Sequence, residues 1–181
     1  MTRQAILSPQ QAVLGLLMRG PMHGYELYQK YASELGPIWR AGRSQVYAIL
    51  KQLAEAGQVV AQTEFQESRP ARRVYHLTPD GRQAFLDWVH QPVKEIRDIR
   101  VLFLAKLYFL RQLGLEGVDT LIEAQKAVCC ERMDALTRAA AALDTDNFGK
   151  LVCEFRRRQL EAILDWLDHC HQRFVVQREE S

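Results

Sequence analysis

Amide, hydroxyl and basic side chains share one face of a helix that the sequence predicts over residues 43–56. Its other face carries a buried stripe at helical spacing, made of Val46, Ile49, Leu50 and Leu53. The outward positions are occupied by Ser44, Gln45, Ala48, Lys51 and Gln52, with Tyr47 at the flank. Amide and basic side chains of this kind read base edges in a major groove. The pattern therefore indicates recognition of nucleic acid rather than bond-making chemistry.

The charge around this helix supports the same interpretation. No Asp or Glu occurs between residues 34 and 55, whereas Arg40, Arg43 and Lys51 lie within that interval. We expect Ser44 to cap the first turn, where unpaired backbone N–H groups and the helix dipole favour a phosphate. The alternative is a charged helix face that is merely solvated.

A ribbon is predicted directly after the helix. Gly57 is a suitable stop residue, and residues 58–64 and 74–77 are rich in the β-branched and aromatic residues of paired strands. The tip between these strands has the sequence FQESRPARR, which contains Arg69, Arg72 and Arg73. Arginines at such a tip can follow the DNA backbone or enter a narrow minor groove. A solvated loop is the alternative interpretation.

Two further helices are predicted before this region. Ser8 and Pro9 are a cap and a first-turn proline for the first helix, which Gly20 and Pro21 end. The segment 23–35, HGYELYQKYASEL, is predicted as the second helix. Two helices joined by a turn and followed by an outward-facing helix make a helix-turn-helix, to which the ribbon adds a wing.

Three stretches of this half resemble the PadR family of bacterial transcriptional regulators. They are LSPQQAVLGLLMRGPMHGYELYQKY, GPIWRAGRSQVYAILKQLAEAGQVV and RPARRVYHLTPDGRQAF, and the resemblance covers residues 6–90. The motifs GPMHGYEL, QVYAILKQL and RPARRVYHLT followed by DGR are specific in combination. The resemblance implies binding to double-stranded operator DNA. The expected DNA-binding residues are His23, Tyr25, Arg40, Arg43, Ser44, Gln45, Tyr47, Lys51, Arg69, Arg72 and Arg73.

The composition fits a folded soluble protein. The chain has 181 residues, of which 48% are hydrophobic and 25% are charged, and its net charge is +2. Residues 1–90 hold 10 Lys and Arg against 7 Asp and Glu, whereas residues 91–181 hold 14 against 15. No stretch is long and apolar enough to cross a membrane, and the first residues lack the apolar core of a signal peptide. We therefore expect a cytoplasmic protein with no membrane partner.

Helical patterns fill the rest of the chain. Thr78 and Pro79 begin a helix that runs to about His90, and Gln91 and Pro92 break it. Further helices are predicted at residues 96–113, 118–143 and 151–176, with a turn at 144–149. Within the second of these, a seven-residue repeat is formed by Ile122, Cys129, Leu136 and Leu143. Such a repeat favours packing along another helix.

Two long antiparallel helices expose more apolar surface than one small domain can cover, so we expect a homodimer. The resemblance also implies a dimerising C-terminal domain. The predicted fold class is mainly α, with an N-terminal winged helix-turn-helix carrying a two-stranded wing. The predicted domains are a DNA-binding domain at residues 1–90 and an all-helical dimerisation and effector-binding domain at residues 91–181.

Other residues that could support chemistry have plainer alternatives. Asp165 with His169, and Asp168 with His171, have spacings that can share a metal, but helical ion pairs explain them equally well. The basic run 156–158 is either a solvated surface or a further DNA contact. We expect no catalytic residue, no metal site and no cofactor.

The cysteines form no CxxC pair. They are Cys129, Cys130, Cys153 and Cys170. We expect buried, reduced thiols, because Cys is among the residues most often fully buried. The alternative is a redox-sensing pair at residues 129 and 130, although adjacent residues point to different faces of a helix.

The family resemblance implies regulation by small, often aromatic molecules, phenolic acids among them, bound near the interface of the two domains. Candidate effector-binding residues are Trp88, Tyr108, Arg111 and Trp166, since aromatic rings stack and a guanidinium holds a carboxylate. The alternative is that they are core and surface residues. The expected function is a repressor of transcription that such an effector relieves. The alternative function is a winged-helix dimer that serves as a protein-interaction or architectural module under the control of a partner protein.

Overall fold

The computed structural model describes residues 9–66, 69–143 and 147–179. Within these ranges the protein is mainly helical and contains one three-stranded antiparallel sheet. Three helical segments pack beside the sheet in the order of a helix-turn-helix followed by a wing. The predicted fold class, mainly α with a winged helix-turn-helix, is therefore confirmed.

The chain divides into two compact units. The first comprises Met1–His90 and Arg100–Leu115, and the second comprises Gln91–Ile99 and Glu116–Ser181. The predicted boundary after residue 90 differs from this division, because the segment 100–115 belongs to the first unit. The sequence shows that this segment is apolar on several faces, but it does not show which neighbours cover them.

The first unit begins with short helical elements. They are α1 (Gln10–Leu17), β1 (Met22–His23), α2 (Gly24–Lys30), a π-helical turn (Tyr31–Leu35) and α3 (Arg43–Glu55). The helix predicted over residues 23–35 is confirmed from Gly24 to Leu35, although its last five residues are π-helical and His23 lies in β1. Pro9 precedes α1 at its N-cap position rather than lying inside the first turn. The predicted cap Ser8 lies outside the described residues.

The sheet contains one strand more than predicted. It consists of β1, β2 (Val59–Gln66) and β3 (Arg69–Leu77) in the order β1-β3-β2. Strand β1 pairs Met22 with Tyr75, and a strand of two residues has no periodicity by which the sequence could reveal it. Strand β3 is longer than predicted, so Arg72 and Arg73 are strand residues rather than parts of a tip loop.

The end of α3, the base of the wing and the start of the next helix are joined by one set of hydrogen bonds. Gly57 adopts a positive φ of 71°, as a helix-terminating glycine does. The Thr78 hydroxyl donates to the Gly57 carbonyl at 2.8 Å and accepts from the Gly81 backbone N–H at 3.1 Å. The Thr78 N–H donates to the Gln58 carbonyl at 3.1 Å. Thr78 is thus the predicted cap of α4 (Pro79–Val89).

Helix α5 (Ile99–Gln112) supplies part of the core of the first unit. The Phe109 ring contacts the Phe85 ring edge to face, with 5.3 Å between centroids, and both side chains are fully buried. A Cβ atom at Gly15 would lie 2.6 Å from the Phe109 ring, so only glycine lets α1 approach α5 this closely. The three residues explain why α5 packs with α1 and α4.

The second unit contains two long helices, α6 (Val118–Ala141) and α7 (Asn147–Glu179). The turn predicted at 144–149 is wrong from Asn147 onward, because those residues begin α7, and residues 144–146 lie outside the described ranges. The buried Gln125 side chain accepts from the Val93 N–H and donates to the Val93 carbonyl, which ties the segment before α5 to α6. Among the described helices, none is both long and apolar enough to cross a membrane.

The predicted stripe of α6 is buried only in its first half. Ile122 and Cys129 are fully buried, whereas Leu136 and Leu143 are half-buried. All four cysteines are free thiols. Burial varies among them, since Cys170 is buried, Cys153 is half-buried and Cys130 is exposed.

Candidate nucleic-acid interface

Helix α3 has the predicted division between a buried and an exposed face. The residues of its stripe, Val46, Ile49, Leu50 and Leu53, are at most 3% exposed. The outward residues are all exposed, and they are Arg43, Ser44, Gln45, Tyr47, Ala48, Lys51 and Gln52. The hydroxyl, amide and basic groups of α3 therefore face solvent along one side.

The predicted capping role of Ser44 is wrong. The N-cap of α3 is Gly42, and no side chain caps the helix there. Ser44 is instead the second residue of α3, and its side chain is exposed. No acidic residue occurs in this turn, so the positive end of the helix dipole is not neutralised locally.

A depression with a volume of about 670 Å³ opens beside the start of α3. It is lined by Ala32, Gly36, Pro37, Arg40, Ala41 and Gly42. Most of these side chains are small, and Arg40 is the charged residue among them. The small residues leave space in front of the helix terminus, where a DNA backbone could approach Arg40.

The start of α2 lies against the edge of α3. A Cβ atom at Gly24 would be 2.9 Å from the Tyr47 ring, so the glycine allows this close contact. Tyr47 is 41% exposed and Tyr25 is 59% exposed, which is high for such large side chains. Two tyrosines and the adjoining His23 thus extend the exposed face of α3 toward α2.

The two described arginines of the wing point to opposite faces of the ribbon. Arg72 is paired with Glu64 and Arg73 with Thr63, and successive strand residues alternate between faces. His23 lies on the same face as Arg72, and its Nε2 is 3.9 Å from the Glu64 carboxylate. A single groove wall cannot receive both arginines from the same side. The side chain of Arg69 lies outside the described set.

The exposed cations of this region differ in their partners. Arg40, Arg43, Arg72 and Arg73 are exposed, and within the described ranges none forms an ion pair with a carboxylate. Lys51 lies 3.8 Å from Glu55, and both side chains are mostly exposed. Pairs of this kind contribute about 0–1 kcal/mol, so Lys51 can exchange its partner for a phosphate at little cost.

The candidate effector residues are divided between the two units. Trp88 and Tyr108 are half-buried and Arg111 is exposed, and these three belong to the first unit, whereas Trp166 is half-buried in the second. A series of ring contacts connects Tyr108 to Trp88. The Tyr108 ring contacts the Phe109 ring, with 5.2 Å between centroids. The Phe85 ring lies between Phe109 and Trp88.

Two polar residues near these rings were missed from the sequence. Lys106 is only 3% exposed, donates to the Trp88 carbonyl and lies 4.4 Å from the centre of the Trp88 ring. Burial lowers the pKa of Lys106 to about 7. The Tyr108 hydroxyl donates to Glu34, so it already has a partner inside the first unit. The sequence signal available for Lys106 was a lysine within an apolar helical pattern. No signal in the sequence pointed to Glu34.

Two of the four residues whose spacing could have shared a metal, Asp168 and His171, lie close to charged residues of α6. Asp168 accepts from Lys126 at 2.8 Å, and His171 Nε2 lies 3.7 Å from the Asp119 carboxylate. Across the described residues, His, Cys, Asp and Glu form no group of three that could hold a metal ion. Asp168 and His171 therefore face partners on α6, and not each other within α7 as the helical ion-pair alternative proposed.

The three helical segments, the sheet and the exposed face of α3 define a winged helix-turn-helix protein. Residues 13–87 match the model of the transcriptional regulator PadR-like family, and residues 99–174 match the model described as virulence activator alpha C-term. Residues 13–87 therefore form a domain of the PadR-like family of transcriptional regulators, as its motifs indicated.

Two relatives with assigned names are similar to this chain. It is 34% identical over 116 residues to the negative transcriptional regulator PadR of Bacillus subtilis (strain 168), a match that spans 63% of each chain. It is 28% identical over 174 residues to a probable transcriptional regulator of Mycobacterium tuberculosis, covering 87% of this chain and 92% of the relative. The first match therefore leaves more than a third of that relative unmatched.

Solved structures of Bacillus subtilis PadR are also similar. The complex with operator DNA has 25% sequence identity and a TM-score of 0.45, covering 95% of this chain and 99% of that chain. The complex with p-coumaric acid has 26% identity and a TM-score of 0.42, covering 91% and 97%.

Proposed function

We propose that this protein is a repressor that binds double-stranded operator DNA as a homodimer and is released by a small aromatic effector. The observation that carries the proposal is the set of exposed arginines without carboxylate partners around α3 and the wing, within the described residues. Phosphate neutralisation by Arg40, Arg43, Lys51 and Arg72 would supply most of the affinity. Gln45 and its exposed neighbours on α3 would read base edges.

The two faces of the wing suggest separate roles for its arginines. Arg72 shares a face with His23 and Glu64, whereas Arg73 extends from the opposite face. A ribbon placed edge-on in a minor groove would present one arginine to each wall. This placement reconciles both arginines with a single DNA site.

The DNA-binding proposal is tested by selecting preferred duplexes from a random pool and titrating the best one over a series of salt concentrations. We expect tight, salt-sensitive and selective binding. The double variant Lys51→Ala with Arg72→Ala should flatten the salt dependence by roughly one unit per lost phosphate contact. Arg132→Ala, an exposed arginine of α6, is the matched control and should leave the slope unchanged. An unchanged slope in the double variant would remove this surface from the interface.

The homodimer is supported by an exposed apolar stripe on α7. Phe148, Leu151 and Phe155 follow the i, i+3, i+7 spacing of one helix face and are 72%, 59% and 61% exposed. Stripes of this kind usually mark an interaction site. Sedimentation equilibrium of Leu151→Ser with Phe155→Ser should show a shift from dimer to monomer, whereas Glu161→Gln on the same helix should remain dimeric. A dimer of unaltered stability in the double variant would place the interface elsewhere.

The effector proposal rests on the family and on the half-buried aromatic residues Trp88 and Tyr108. The first probe is p-coumaric acid, with benzoate as a smaller carboxylate. A binding effector should raise the melting temperature progressively as its concentration exceeds the dissociation constant, and it should weaken operator binding. If neither molecule changes the melting temperature or the affinity for DNA, phenolic and benzoic acids are excluded as effectors.

A further inference from the structure

A hydrogen-bonded triad of Arg19, Glu34 and Tyr108 joins three parts of the first unit. The Tyr108 hydroxyl donates to Glu34 Oε2, and the same oxygen accepts from an Arg19 guanidinium nitrogen at 2.5 Å. Arg19 follows α1, Glu34 lies in the π-helical turn, and Tyr108 lies on α5. The triad therefore ties α5 to the helix-turn-helix.

A short hydrogen-bonded segment connects Glu34 to the start of α3. The Gly36 N–H donates to the Tyr31 carbonyl at 3.0 Å, and the Ile38 and Trp39 N–H groups donate to the Leu35 carbonyl at 2.9 and 2.7 Å. Backbone bonds thus fix the chain from the π-helical turn to residue 39. Since α3 begins at residue 43, a shift of Glu34 reaches the first turn of α3 through only a few residues.

The chemistry of the triad makes the tyrosine a constant donor. Burial, followed by the hydrogen bond and the charge of Glu34, raises the pKa of Tyr108 to about 12. The hydroxyl therefore keeps its proton throughout the physiological range. Glu34 has a side chain that is only 25% exposed, and Arg19 supplies the countercharge that its carboxylate needs. A hydrogen bond to a charged, partly buried acceptor is among the stronger kinds.

Helix α5 has a special position in the chain. From Arg100 onward it belongs to the first unit, but the segments on both sides, Gln91–Ile99 and the chain from Glu116 onward, belong to the second. It is thus the part of the first unit that is covalently joined to the second at each end. A displacement of α5 would act on Glu34 through Tyr108.

We infer that Tyr108 is a positioning residue for operator recognition, because its hydroxyl holds Glu34, and with it the turn that sets the first residues of α3. The inference rests on the proposed function. In this role Tyr108 touches no DNA, and it acts by keeping α3 in the geometry that fits the operator. Loss of the hydroxyl lowers the fraction of molecules in that geometry and so lowers the apparent operator affinity.

The test compares full-length variants that each remove one group. Tyr108→Phe keeps the ring and its contact with Phe109 but removes the donor, and Glu34→Gln keeps the shape but removes the charge. The matched control is Tyr28→Phe, a half-buried tyrosine of α2 for which the described residues provide no hydrogen bond. Each variant is assayed on a duplex selected by the wild-type protein and on an unrelated duplex. The ratio of the two affinities cancels any uniform effect of charge.

We expect Tyr108→Phe and Glu34→Gln each to lower this ratio roughly 5-fold, as the loss of one hydrogen bond predicts. The double variant should lower this ratio no further than the single variant with the larger effect, because the effects of partners in one network are not additive. Hydrogen exchange at the Gly36, Ile38 and Trp39 amides should become faster in Tyr108→Phe. Tyr28→Phe should leave both the ratio and the exchange rates unchanged.

Two outcomes would overturn the inference, and they have different meanings. If the wild-type protein prefers its selected duplex and Tyr108→Phe shows the same ratio, Tyr108 does not position α3. If the wild-type protein itself shows no preference, the proposed function fails, and the inference fails with it. Melting curves identify the temperatures at which every variant is fully folded, and all affinities are measured there.

Discussion

Replacing Lys106 with methionine should change how the stability of the protein depends on pH. The lysine lies on α5 and is 3% exposed, and its burial lowers its pKa from 10.5 to about 7. Between these two values the unfolded chain binds a proton that the folded protein does not. The free energy of unfolding contributed by this group therefore rises with pH across the window from about 7 to 10.5.

The magnitude follows from the size of this shift. One proton difference changes the free energy of unfolding by about 1.4 kcal/mol per pH unit. From about pH 7.5 to about pH 9.5 the lysine should thus add about 2 kcal/mol to the stability, once the partly charged ends of the window are discounted. Lys106→Met keeps most of the side-chain volume and removes the titrating group. The variant should be more stable than the wild-type protein at neutral pH, and this advantage should shrink by the same amount as the pH rises.

Urea denaturation at a series of pH values and at constant protein concentration measures this difference. Other groups titrate in the same range, since burial raises the pKa values of Cys129 and Cys170 and gives them a contribution of opposite sign. Their effect cancels in the difference between variant and wild type at each pH. Lys94→Met, at an exposed lysine, is the matched control for the exchange of a lysine for methionine. Parallel curves for Lys106→Met and the wild type would refute the reasoning.

Two further predictions concern the exposed face of α3. Gln45→Ala should relax base preference at one operator position and leave the salt dependence unchanged, which sequencing of selected duplexes would detect; an unaltered preference profile would remove Gln45 from the readout. Gly24→Ala should displace the Tyr47 ring, because the new Cβ would lie 2.9 Å from it. We expect a several-fold loss of operator affinity, with stability changed by no more than about 1 kcal/mol, since alanine favours a helix and the ring is free to turn outward. Unchanged affinity in a correctly folded variant would show that Tyr47 is not at the interface.

Helix α3 was predictable from the sequence because its two faces differ in chemistry. Four apolar residues at helical spacing determine which side of α3 is buried, and this leaves Gln45 and Lys51 outside. The same logic located the cap of α4 at Thr78, because a hydroxyl followed by proline has few other local uses. Local patterns of this kind need no knowledge of distant contacts.

The elements that sequence reasoning missed depend on distant contacts. Strand β1 is too short for a pattern and exists because Met22 pairs with Tyr75. Helix α5 reads as apolar on several sides, and only the packing of Phe109 against Gly15 shows to which unit it belongs. The partner of Tyr108 lies 74 positions away in the chain, so no spacing rule could have connected it with Glu34.

The hydrogen bonds of Thr78 bear on how the DNA specificity of such a protein can be changed. Thr78 joins the end of α3 to the base of the wing and to α4, and all of its partners lie in the backbone. The buried stripe and this junction therefore hold α3 in place without using the side chains of residues 44, 45 and 48. These three residues can be randomised together, and we expect most of the resulting library to fold. Divergence of target sequence among duplicated copies of the gene would then require few compensating changes.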